Sequence, residues 1–160
     1  MKKAVTLFMC LIVCLTFAGC GNEKETFSFE DLEIEVKMKI DETISVSHTD
    51  NTMLISNSKN NDTIGVISVV KEKADNINEI YNICITGNGE KTKTKLSDNL
   101  IFVEIKNKVD SVILGERVDK MYCFIFYDEN TGAVLYGRFF ENSKRDYVIS
   151  LAKSIEVVKK

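Results

Sequence analysis

The chain contains no proline and no tryptophan, and its 160 residues include one histidine. Each absence removes a class of function. A single histidine cannot build a multi-histidine metal centre. With no Gly-x-Ser-x-Gly elbow in the sequence, nucleophile-and-base catalysis would need the fold to bring His48 beside a Ser or Cys, Cys84 being one candidate. Without tryptophan or proline-pinned loops there is no sign of the aromatic platform that sugar sites often use. Gly87-Asn88-Gly89 is too short for a dinucleotide fingerprint and follows a helical pattern where that motif follows a strand, so it reads as a helix stop. Asp128-x-Asn130-x-Gly132 has the spacing that opens a calcium loop, but its twelfth position is Phe139, where a bidentate Glu is required. The carboxylates Glu104, Asp110, Glu116 and Asp119 form no motif beyond what any domain with 24 acidic residues offers. No metal or cofactor is expected.

An apolar run long enough to cross a bilayer is also missing. The longest, Ala4 to Phe17, has 14 residues, whereas a spanning helix needs about 20. Lys2 and Lys3 precede it, and Leu15-Thr16-Phe17-Ala18-Gly19-Cys20 follows with small residues before a cysteine. This segment resembles a bacterial lipoprotein signal, although Phe17 stands where that pattern favours leucine. The resemblance implies a diacylglyceryl group on the Cys20 sulfur, cleavage between Gly19 and Cys20, and a mature chain tethered to the extracytoplasmic face of a bacterial membrane. Residues 1–19 are then signal peptide, 20–30 lipid anchor and short tether, and 31–160 a single domain. Cys10 and Cys14 fall in the removed part.

Cleavage would leave 141 residues with 19 basic and 24 acidic side chains, a formal charge of −5. That balance, with no basic patch interleaved with aromatics, argues against nucleic acid as a partner. Lys91, Lys93 and Lys95 alternate with threonines and fit the solvent face of an edge strand or loop. With Cys20 lipidated, only Cys84 and Cys123 remain, which excludes a disulfide framework. They leave either one bridge or two buried thiols acting as small hydrophobes.

Hydrophobic periodicity gives the elements. Leu32, Ile34, Val36, Met38 and Ile40 alternate with charged residues as in a strand. Further strands are expected at 43–48, 52–56 and 63–71, with a turn over Thr49-Asp50-Asn51 and a loop over 57–62. Ile77, Ile80, Tyr81, Cys84 and Ile85 mark a helix face, capped by Asp75 or Asn76, with Glu79 in the first turn and Gly87 at the exit. Strands follow at 99–106, roughly 111–118, 120–128 and 133–141, the last two joined through Asp128–Gly132 with Gly132 at positive φ. Tyr122, Phe124 and Phe126 alternate with Cys123, Ile125 and Tyr127, so both faces of that strand are expected to be covered. A C-terminal helix is expected from Lys144 to about Val158, with Ser143 and Asp146 as a capping box.

The expected fold class is therefore α+β: an antiparallel sheet with one helix after the first strands and a C-terminal helix packed on it. Element order and patterning resemble the PsbP-like α/β sandwich, with a cystatin-like arrangement as the alternative. The PsbP-like resemblance implies a binding or accessory module that docks on a larger assembly, and it supplies no functional residue. The expectation is a membrane-anchored, non-catalytic lipoprotein that binds an envelope protein or small ligand. The alternatives are a small, hydrolase-like envelope enzyme and an inhibitor or immunity-type lipoprotein.

Overall fold

A computed structural model describes residues 23–85, 89–110, 117–140 and 142–160, with the side chains of 107–110 and 117–118 excepted. Cys20 and Gly87 lie outside the described residues, as does most of the strand expected at 111–118.

The chain forms an α+β domain in three layers. The middle layer is a seven-stranded antiparallel sheet in the order β3-β4-β5-β9-β8-β7-β6. Its strands are β3 (Ile44–Thr49), β4 (Thr52–Asn57), β5 (Thr63–Lys71), β6 (Glu90–Ser97), β7 (Leu100–Asp110), β8 (Arg117–Asp128) and β9 (Ala133–Phe140). The hairpins follow the turn chemistry of the sequence. Gly132 takes φ 71° and donates its N–H to the Asp128 carbonyl at 2.8 Å, while the Asp128 carboxylate accepts from Thr131.

On one face lies helix α1 (Ile77–Cys84). It starts where expected, because Asn76 accepts the N–H groups of Asn78 and Glu79 and the Glu79 carboxylate takes the N–H of Asp75. Ile77 and Ile80 bury against Ile101, Val103, Cys123 and Ile125 of β7 and β8. The other face carries helix α2 (Arg145–Ser154) and a three-stranded sheet of β1 (Glu25–Phe29), β2 (Ile34–Met38) and β10 (Glu156–Lys159), in the order β1-β2-β10. Phe27, Phe29, Ile34, Val36, Val148 and Leu151 from that layer meet Met53, Ile67, Phe102, Phe124 and Phe139 from the sheet in the larger core. β8 is thus covered on both sides, as its two apolar faces require.

The two ends of the chain differ from the sequence reading. β1 occupies the stretch read as tether, because Phe27 and Phe29 alternate with polar residues and bury one face. The C-terminal helix stops at Ser154 instead of about Val158. Ser154 Oγ donates to the Leu151 carbonyl at 2.7 Å and accepts the N–H of Lys39 at 2.9 Å. The β-branched residues beyond it then pair with the open edge of β2. Nor does the capping box form: Ser143 Oγ donates to the Phe140 carbonyl at 2.6 Å, and the helix begins one residue later, at Arg145, with Lys144 at the N-cap making no side-chain cap.

Candidate binding surface

Helix α1 is eight residues long, which gives it a length of about 12 Å. Seven strands about 4.8 Å apart make a sheet about 29 Å across, so α1 cannot cover its face. The register shows what stays open. Ser47, Leu54, Val66, Arg138, Cys123 and Val103 stand in one row across β3, β4, β5, β9, β8 and β7. Cys123 and Val103 lie under the helix, whereas Leu54 is 41% exposed. Val70 on β5 is 39% exposed, and Ile83 on α1 itself is 62% exposed.

Arg138 sits at the border of the covered and open halves. Its guanidinium lies 5.4 Å from the ring centre of Tyr136, its Nε is buried with no hydrogen-bond partner, and it has no ion pair among the described residues. The residue as a whole is half-exposed, and its guanidinium suits an anionic or hydrogen-bond-accepting group brought by a partner. Sequence reading missed this residue. Its alternation with Tyr136 was visible, but which strands the short helix would leave open was not.

Cys84 and Cys123 are both free thiols in the structure, Cys123 buried and Cys84 half-buried. Tyr136 Oη donates to Cys123 Sγ at 3.9 Å. Burial pushes the Cys123 thiol up to about 12 and raises Cys84 as well, with Glu72 adding to the effect at Cys84. Burial also raises Tyr136. Thiols held protonated in this way are weak nucleophiles.

His48 lies on the opposite face of the sheet from Cys84. Its ring stands edge-on to Phe27 and Phe29, with centroids 5.8 Å away in each case, so the fold does not assemble a His48–Cys84 pair. It borders a cleft of about 200 Å³ with Ser28, Glu30, Asp31, Thr49 and Asp50. A wider cleft of about 630 Å³ lies beside the β8–β9 turn and includes Glu72, Asp75, Glu79 and Glu129. No group of three or more metal-ligating side chains stands together among the described residues.

Glu104 instead ties α2 to the sheet, with Lys120 at 3.2 Å, Lys106 at 3.3 Å and Arg145 at 3.6 Å. Burial would raise its pKa, but hydrogen bonds from Lys120 and Lys106 outweigh that and hold it below the usual range. Asp119 is exposed, and Glu116 and the Asp110 side chain lie outside the described parts. Lys91, Lys93 and Lys95 fall on β6, an edge strand. No described helix is long and apolar enough to cross a membrane. No family model, curated protein or solved structure matches the chain.

Proposed function

We propose that the chain is a lipoprotein of the bacterial envelope, anchored through Cys20 on the extracytoplasmic side, whose domain is a non-catalytic docking module. The observation that carries the docking reading is the open half of the sheet face, where Leu54 and Val70 are exposed and the half-exposed Arg138 has no ion pair among the described residues. Exposed apolar residues that share a sheet face with a cation suit recognition of another protein. The anchor reading rests on Lys2, Lys3, the apolar run and the Leu15–Cys20 sequence. Helices on opposite faces of one antiparallel sheet support the PsbP-like sandwich over a cystatin-like wrap around a single helix.

Cross-linking in intact envelopes tests the docking reading. Wild type is expected to trap a reproducible partner, and the folded Leu54→Asp, Val70→Asp double variant is expected to lose it. Retention of the partner by that variant overturns docking on this face. For the anchor, Cys20→Ser is expected to release the domain from membranes or leave the precursor uncut. Unchanged membrane retention with unchanged mass refutes lipidation.

A further inference from the structure

The two outer strands of the large sheet are guarded differently. β6 carries Lys91, Lys93 and Lys95, whose amines reach the Ile85 carbonyl at 3.5 Å, Asn78 at 2.7 Å and Asp98 at 2.7 Å. Lysines along an edge discourage further strand pairing. β3 (Ile-Ser-Val-Ser-His-Thr) has no lysine and no proline, and its pairing with β4 runs without a bulge.

The hydrogen-bond phase fixes which groups this edge presents. Ser58 N–H donates to the Thr43 carbonyl at 2.8 Å, next to the pair Ile44 and Asn57. Antiparallel pairs alternate between bonded and non-bonded, so Thr43, Ser45, Ser47 and Thr49 direct their backbone groups toward β4. Val46 and His48 then direct their N–H and C=O away from β4, to an edge that no other described strand pairs with. His48 is exposed and Val46 half-exposed.

Charge selects the occupant. At the His48 end, the cleft of about 200 Å³ brings Glu30, Asp31 and Asp50 together, and among the described residues the cation that pairs with one of them is Lys160, on Glu30. Asp41 and Glu42 flank the other end of the strand. A second copy pairing antiparallel about Val46 would set Asp50 of one chain opposite Glu42 of the other, so self-pairing is repulsive. An extended segment bearing Lys or Arg meets the opposite charge.

We propose that the open edge of β3 accepts an extended, basic segment of a partner protein as an added strand, with a Lys or Arg of that segment seated among Glu30, Asp31 and Asp50. The backbone groups of Val46 and His48 hold the strand, and the acidic cleft selects its charge. This deepens the reading of the chain as a docking module and rests on it.

The full-length chain, extracted from bacterial envelopes in detergent, is titrated with two fluorescein-labelled peptides of alternating Thr and Val. One carries lysine at both ends and the other glutamate. Fluorescence anisotropy is expected to show the lysine peptide binding at least about tenfold more tightly. Hydrogen exchange is expected to show added protection at the amides of Val46 and His48. His48→Pro removes an edge N–H that β4 does not use and is expected to weaken the lysine peptide by about tenfold or more. Asp31→Asn with Asp50→Asn is expected to weaken that peptide alone, with the circular dichroism spectrum unchanged, and this variant carries the test if His48→Pro fails to fold. Equal affinity for the two peptides, protection confined to other strands, or self-association through β3 that the lysine peptide does not displace overturns the proposal. If peptide binding is intact but no envelope partner cross-links, the docking reading falls and the strand-accepting edge stands. An envelope partner that is still captured by folded His48→Pro overturns the edge and leaves docking intact.

Discussion

Replacing Gly137 with Ala should destabilise the domain, by an amount that the neighbouring rings set. Gly137 and Phe124 are direct cross-strand partners on β9 and β8, as Gly65 and Phe139 are on β5 and β9. A Cβ at Gly137 would fall inside contact distance of the Phe124 ring. That ring cannot simply withdraw, because Phe139 lies 6.0 Å away, itself covers Gly65 and packs edge-on against Tyr147 at 6.5 Å. Forcing a methyl into such a core costs about 1–3 kcal/mol. The loss of unfolded-chain entropy on going from Gly to Ala returns about 0.4–1 kcal/mol. A net cost of about 1–2 kcal/mol is expected, which for a domain of this size lowers Tm by about 3–6 °C. Urea unfolding of wild type, Gly137→Ala, Phe124→Leu and the double variant measures the coupling. If the ring and the methyl compete for one space, the double variant is more stable than the sum of the singles by about 1 kcal/mol. A neutral Gly137→Ala, or strict additivity, would refute the reasoning.

Glu104→Gln should destabilise by about 1–2 kcal/mol at pH 7, because Lys106, Lys120 and Arg145 lose the carboxylate they share. The folded carboxyl is held below its usual range, so its stabilising effect is full above the unfolded value of about 4.3 and is lost as pH falls through the folded one. The gap between wild type and variant in urea midpoint should therefore close toward pH 3, and a gap that persists there contradicts the ion cluster. Asn76→Ala should cost about 1 kcal/mol through the lost α1 cap, seen as faster hydrogen exchange at Asn78 and Glu79; unchanged exchange refutes the cap. In native protein at pH 8, Cys123 should resist a thiol reagent until the domain unfolds, and Cys84 should react first; reaction of both at equal rates excludes the burial described.

Where one local pattern admitted one solution, the fold was legible in the sequence. Ile77, Ile80 and Cys84 repeat at helical spacing beside a good cap, and Asp128–Gly132 can close a hairpin. The chain ends were ambiguous for a physical reason. Ile155 and Val158 continue the stripe of α2, so periodicity alone extends the helix through them. What decides is non-local: β2 has an open edge, and strand pairing there satisfies the backbone of a β-branched run. β1 was hidden because only Phe27 and Phe29 signal it after a polar stretch. Leu54, Val66 and Arg138 come from three strands, and their row exists only once the register is known. Nor does the alternation along any one strand tell which half of the sheet an eight-residue helix will leave uncovered.

In the proposed anchored form, the strand at the N-terminus has a further consequence. With β1 beginning at Glu25 and Lys24 paired to Glu156 at 3.0 Å, the folded domain already includes Lys24, inside the stretch read as tether. From Cys20 to Lys24 is four Cα–Cα steps, about 14 Å at full extension. A domain of this size has a radius of gyration of about 14 Å. A tether of that length holds the Lys24–Glu156 corner within about 14 Å of the lipid surface. A docking face and a strand-accepting edge on such a domain are therefore presented close to the membrane. Lengthening the chain between Cys20 and Lys24 with about ten flexible residues would relax that restriction. It should leave stability unchanged while weakening cross-linking to any partner held at a fixed height, and equal cross-linking by the lengthened form would show that the short tether has no such role.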